Sequence, residues 1–173
     1  MSEVAYAISA VVWPSGASQF TINPSRGKRR GQGNGVRPIK LGCMLALEKS
    51  GWSIDEKHHP LRLDAVKAVP GGRFIGLEWE TGNISSSHRA INRLMLGNQR
   101  GQVAAGILVV PTRDLYRYLT DRVGNLTELE PYFELWQRWP WQNGSLVIIA
   151  VEHDTTSAAV PRIEKGTDGR ALI

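Results

Sequence analysis

The spacing of apolar and polar residues changes several times along the chain, and each change marks an element. Residues 4–13, VAYAISAVVW, form a short apolar element closed by Pro14-Ser15-Gly16. From Pro38 onward, Ile39, Met44, Leu45 and Leu47 predict a helix over residues 39–50, with those four facing the core and Gly51 as its stop. Residues 61–69 and 73–80 read as strands on either side of a Pro70-Gly71-Gly72 turn. Thr81-Gly82-Asn83 breaks the second strand. Ser85, Ser86 and Ser87 then offer caps for a helix over residues 88–99, with Ile91, Leu94 and Met95 as its apolar stripe. Two continuous apolar runs, GILVV at 106–110 and SLVIIAV at 145–151, have the pattern of strands buried on both faces. Residues 114–121 and 126–137 read as helical. Strands and helices mix along one chain with no repeat and no linker, which predicts one α/β domain with helices packed on a mixed sheet.

The strand FIGLEWE at 74–80 carries two acids on one face. Side chains alternate along a strand, so Phe74, Gly76, Glu78 and Glu80 share a face, and Ile75, Leu77 and Trp79 share the other, expected to be the better buried. An odd-numbered turn centred on Gly71 sets Val69 opposite Arg73 and therefore Asp64 opposite Glu78; an even-numbered one sends Asp64 to the wrong side. Pro-Gly-Gly suits a three-residue loop with Gly in a left-handed conformation. That register gathers Asp64, Glu78 and Glu80 on one patch. Like charges opposed on paired strands repel. Protonation, a neighbouring Arg or Lys, or a divalent cation can offset this, and an all-oxygen cluster suits a hard ion such as Mg²⁺. The bland alternative is a solvated strand end neutralised by Arg62, Lys67 or Arg73.

Composition narrows the classes. A chain of 173 residues suits a single core. No apolar run is long enough to span a bilayer, and the N-terminus lacks the basic region of a signal peptide, so a cytoplasmic protein with no membrane partner is expected. The single cysteine, Cys43, excludes an internal disulfide and a Cys-based zinc site, and its apolar neighbours mark it as a core thiol. The net charge of +5 permits a polyanionic partner without demanding one. Its distribution says more: residues 23–40, NPSRGKRRGQGNGVRPIK, are basic, Gly-rich and free of acids, either a DNA-binding arm centred on Lys28, Arg29 and Arg30 or a solvated loop.

Asp64 followed by Glu78-Trp79-Glu80 on the next strand resembles the signature of the PD-(D/E)XK nucleases. The third position of that signature is most often Lys; Glu80 stands there, as in the BamHI-like restriction endonucleases. LDAVK, EWETGN followed by SSSHRAINRLML, ILVVPTRDLYRYLTDRVGN and the late KGTDGRAL are all similar to the BglII and BamHI type II branch. The resemblance covers residues 39–173. In two respects the chain departs from the pattern: Leu63 stands where the signature has Pro, and the chain is short for a restriction enzyme.

The resemblance implies a restriction-endonuclease-like core over residues 1–173, a mixed β-sheet flanked by helices. It implies an endodeoxyribonuclease that hydrolyses phosphodiester bonds of double-stranded DNA at a short specific sequence, as a homodimer whose two sites cut both strands. Asp64 and Glu78 would hold Mg²⁺, with Glu80 as a general base or second-metal ligand. It also raises Glu48 on the preceding helix as a further acid, against the alternative of a surface acid beside Lys49. Arg89, Asn92 and Arg93 on the following helix would touch DNA or a second subunit, against the alternative of a solvated face.

Other features stay open on sequence alone. Asn83 follows the acids directly, and Thr112 is both a strand-end polar residue and an N-cap. Glu152-His153-Asp154 has a metal-like composition, but its neighbours point to opposite faces and no ligand role is assigned. Trp136 fits a core position; Trp139 and Trp141 fit a core or subunit interface. Two rival readings use the same residues: a PD-(D/E)XK nuclease of repair, phage or defence systems, and a DNA-binding relative that has lost catalysis.

Overall fold

The Pro70-Gly71-Gly72 turn sets the register at the centre of the sheet. Gly71 and Gly72 both take positive φ, 86° and 75°, which only glycine adopts without strain. They close a three-residue loop between β3 (Ala65–Val69) and β4 (Arg73–Trp79), with Val69 opposite Arg73 and Ala65 opposite Leu77. The computed structural model describes residues 2–27, 32–54, 61–120 and 123–164. Lys28, Arg29 and Arg30, and the KGTDGRAL run, lie outside these.

The remaining elements are α1 (Ser2–Ser9), β1 (Thr21–Ile22), α2 (Arg37–Lys49), β2 (Ser53–Ile54), α3 (Ile84–Gln99), β5 (Val103–Pro111), α4 (Arg113–Tyr116), α5 (Leu126–Leu129), a 3₁₀ turn (Glu130–Tyr132), α6 (Phe133–Gln137), β6 (Ser145–Val151) and β7 (Thr155–Thr156). The main sheet runs β2-β3-β4-β5-β6. Its β2–β3 and β3–β4 pairs are antiparallel, and β4–β5 and β5–β6 are parallel. This is the mixed α/β sheet flanked by helices that the sequence predicts. β1 and β7 form a small parallel pair beside it.

Helices cover the sheet on both sides. Leu77, Trp79, Ile107 and Val109 pack on one face with Val4 and Ala7 of α1 and Ile39, Cys43 and Leu47 of α2. Leu108 and Val110 pack on the other with Ile91 and Met95 of α3, Leu129 and Trp136. The Ile75-Leu77-Trp79 face, expected to be the better buried, is matched by its opposite. The opposite face lies under α3, and Glu78 and Glu80 are buried with it, 6% and 8% exposed. Two glycines let α3 come that close. Gly76 and Gly106 are paired across β4 and β5, and Leu94 lies on both: a Cβ on Gly76 would meet Leu63 Cδ1 at 2.5 Å and Leu94 Cδ2 at 3.1 Å, and one on Gly106 would meet Leu94 Cβ at 3.0 Å.

Several other expectations shift. Leu45 is exposed, because α2 buries Ile39, Cys43, Met44, Ala46 and Leu47, and Leu45 lies about 200° around the helix from Cys43. α3 begins at Ile84, capped by Asn83, whose side chain accepts the Ser86 N–H; the three serines sit inside the first turn. The helix expected over 114–121 is the four-residue α4, capped by Thr112. The helix expected over 126–137 is broken into α5, the 3₁₀ turn and α6 around Pro131, whose ring cannot sit within a continuous helix. β6 is an edge strand of the sheet and is half-buried, since no strand among the described residues pairs with its outer side.

Cys43 is fully buried, and burial pushes its thiol up to about 12. The ends of the basic Gly-rich segment are firmly mounted. Asn34 is completely buried, donates to the Asn23 and Tyr118 carbonyls, and accepts the Ile163 N–H. Among the described residues no helix is long and apolar enough to cross a membrane.

Candidate active site

The hairpin register continues one step past the last paired residue, bringing Asp64 beside Glu78. Asp64 Oδ2 accepts the Trp79 backbone N–H at 2.8 Å, which ties the carboxylate to the end of β4. Glu80 follows β4, and its own N–H still bonds the Val109 carbonyl of β5 at 2.9 Å. Its Oε1 accepts the Gly82 N–H at 2.5 Å, so the Gly-Asn break orients the third acid as well as starting α3.

Two cations enter this cluster from opposite layers. Lys40 of α2 donates to Asp64 Oδ1 at 2.5 Å. Arg93 of α3 brings Nη2 to 2.6 Å from Glu78 Oε1. That second contact is an ion pair lying off the angle of a hydrogen bond: the buried Glu78 Oε1 and the buried Arg93 Nε both lack a hydrogen-bond partner. The neutralising residues considered from sequence go elsewhere. Lys67 holds both oxygens of Glu3 and the Ser50 carbonyl, Arg73 donates to the Asn143 carbonyl, and Arg62 is exposed.

Burial dominates the electrostatics. It pushes the Glu78 carboxyl up to about 8, reinforced by the negative charge of Asp64 and opposed by Arg93 and Lys40. Glu80 is also raised by burial, with the Gly82 N–H pulling the other way. Both acids are thus kept closer to neutral pH than an exposed carboxylate, the range in which a side chain can exchange protons with a substrate water.

The donor set is three carboxylates, hard oxygen ligands. Among the described residues no three His, Cys, Asp or Glu side chains are gathered into a ready-made metal cage. Hard oxygen donors suit an ion such as Mg²⁺, which is usually held by one or two carboxylates, waters and substrate phosphates. Glu78 Oε1 is a buried acceptor paired with Arg93 by charge but holding no hydrogen bond.

The remaining sequence candidates separate. On α3, Arg93 turns into the site, while Arg89 and Asn92 stay exposed, Arg89 donating to Ser86 Oγ at 2.8 Å. Glu48 is exposed, two turns beyond Lys40 along α2. Glu152 accepts from the Thr112 hydroxyl and lies 2.6 Å from His153 Nδ1, and Asp154 accepts the Phe20 N–H at 2.7 Å. That trio is occupied in joining strand ends. Trp136 is buried, with Trp139 and Trp141 packed partly against the same cluster. Lys40 is the residue at the site that sequence reasoning missed. Its cue is weak: one lysine in the first turn of a helix, 24 residues before the acid it meets.

Known proteins resemble the chain over nearly its whole length. The family model for restriction endonuclease BamHI matches residues 1–170. The type II restriction enzyme OkrAI of Oceanobacter kriegii is 48% identical, over 99% of this chain and 89% of that enzyme. The type II restriction enzyme BamHI of Bacillus amyloliquefaciens is 37% identical, over 97% of this chain and 80% of that enzyme. Agreement of this extent, spanning the hairpin, both flanking helices and the strands behind them, shows that the chain belongs to the BamHI family of restriction endonucleases.

Proposed function

We propose that the protein is a Mg²⁺-dependent type II restriction endonuclease that hydrolyses phosphodiester bonds of double-stranded DNA at a short specific sequence. The observation carrying this reading is that Asp64, Glu78 and Glu80 lie at one end of the β3–β4 hairpin, with the buried Glu78 Oε1 paired to Arg93 by charge but holding no hydrogen bond. Asp64 and Glu78 hold the ion. A bound divalent cation supplies Lewis-acid stabilisation of the charge developing on the phosphoryl oxygens and makes a water more acidic. Glu80, fixed through Oε1 by Gly82 and raised by burial, is oriented to take the proton of the attacking water. Lys40 and Arg93 lie where they can offset phosphate charge. The exposed Arg89 and Asn92 suit contact with DNA, and Lys28, Arg29 and Arg30 supply positive charge suited to its backbone.

A homodimer goes with this function, because cutting both strands of a two-fold site takes two copies of the centre. The exposed Tyr132 and Leu135, with the Tyr132 ring edge-on to His88 of α3, supply an apolar surface for such pairing. A DNA substrate of this kind goes with the cytoplasmic location expected from the sequence.

Plasmid cleavage by the wild type and by Glu78→Ala, with Mg²⁺, with Ca²⁺ and with EDTA, tests the reading. Discrete fragments with Mg²⁺ alone, lost in the variant, are expected. A smear would instead favour a nuclease of repair or defence, and DNA binding without cleavage would favour a relative that has lost catalysis.

A further inference from the structure

We propose that Lys40 and Arg93 are exchangeable counter-ions of the metal site: they occupy Asp64 and Glu78 in the ion-free protein, and a divalent cation binds by displacing them. This rests on the metal-nuclease reading above and adds the step by which the site fills.

Three observations carry it. Each acid proposed as a metal ligand already holds a cation, Lys40 Nζ on Asp64 at 2.5 Å and Arg93 Nη2 on Glu78 at 2.6 Å. The two cations come from opposite layers, α2 and α3, so together they flank the patch. The Arg93 contact is incomplete as a hydrogen bond, and Arg93 Nε and Glu78 Oε1 are both left unsatisfied, which marks a pairing of charge without fitted geometry. Lys40 and Arg93 side chains are 27% and 43% exposed, so each has room to withdraw without unpacking the core. Two single positive charges withdraw from the acids as one divalent ion arrives, and the proton that burial favours on Glu78 leaves with them.

The experiment is a Ca²⁺ titration of the DNA-free full chain, read by its melting temperature, for the wild type, Lys40→Met, Arg93→Met, Arg93→Lys and Arg89→Met. Exchange requires Lys40→Met and Arg93→Met to respond at lower Ca²⁺ than the wild type, by about tenfold, within the range typical of coupled binding. The sign survives competition from protons on Glu78, because a divalent ion gains twice what a proton gains when a nearby positive charge is removed. Arg93→Lys keeps the competing charge and stays near the wild type. Arg89→Met removes an exposed charge one turn away that holds no carboxylate of the site, and also stays near it. A Ca²⁺ midpoint unchanged or higher in both Met variants overturns the proposal, even where melting temperature falls, since a merely structural pair costs stability without moving the midpoint. Absence of any Ca²⁺ response in all five proteins overturns it too. If the wild type still cleaves DNA with Mg²⁺ and not with EDTA, the nuclease reading stands without the exchange; if it does not, both fall. Should Arg93→Met fail to fold, Lys40→Met decides alone.

Discussion

Strand β4 shows two different solutions to burial within seven residues. Toward α2 it presents Leu77 and Trp79, which need only shape and apolar neighbours, and which pack in a buried apolar cluster of helix and strand residues that includes Cys43. Toward α3 it presents Gly76, Glu78 and, one step later, Glu80, which need partners as well as space. On that side the glycine pair thins the sheet, α3 settles onto it, and Arg93 reaches Glu78. The apolar face stabilises the fold through area removed from water. The acid face costs stability, since buried like charges repel, and the cost is offset in part by Lys40 and Arg93. On the proposed function, stability and activity are divided between alternate residues of this strand.

Four substitutions bear on that division. Glu78→Ala on the acid face is expected to lower cleavage by roughly a hundredfold to a thousandfold, from the several kcal/mol that metal-ion charge stabilisation supplies, with the circular dichroism spectrum unchanged; a small loss in the rate of plasmid cutting would break the contrast. Leu77→Ala on the other face is expected to cost about 2–5 kcal/mol in denaturant unfolding while the residual folded enzyme cuts normally. A pH series sharpens the same point. The Glu78 carboxyl is raised from its ordinary 4.5 to about 8, so between these values the folded protein holds a proton that the unfolded chain has lost. Stability of the metal-free protein should therefore fall as pH rises through that window, and Glu78→Gln should remove the fall. A melting temperature that climbs from pH 5 to 8 in the wild type, relative to Glu78→Gln, would reverse the sign. Gly76→Ala should cost about 1–3 kcal/mol by overpacking against Leu63 and Leu94, and should also reduce cleavage, since α3 must lift and carry Arg93 with it. Normal activity in that variant would separate the closeness of α3 from catalysis.

The legible parts of the molecule are those set by local rules. Turn chemistry at Pro70-Gly71-Gly72 gives the register, and the alternation of strand side chains then brings Asp64 beside Glu78. The apolar run of β5 reads as a buried strand for the same kind of reason. Where tertiary context decides, the pattern misleads. SLVIIAV looks like an interior strand, yet β6 is at the edge, because an apolar run does not say how many neighbours it has. Leu45 looks like core until the neighbours of α2 are known. Asn83 and the three serines all have capping chemistry, and only the start of α3 chooses between them. Lys40 is the extreme case: no spacing rule links a helix lysine to a hairpin acid, so its contact with Asp64 emerges only from how α2 crosses the sheet. The resemblance pointed to the acids and the fold but had no place for that lysine, since the position the PD-(D/E)XK signature usually gives to Lys holds Glu80.

The turn at residues 70–72 has a consequence for how this protein can change over generations. Its three side-chain positions face open space, with nothing within 4 Å of a Cβ on Gly71 or Gly72, and five paired positions hold the strands between the turn and the acids. Selection on the chemistry therefore acts on the loop through its backbone alone. A change there that keeps the two positive φ angles leaves the distant carboxylates where they are, and one that loses them shifts the register on which Asp64 meets Glu78.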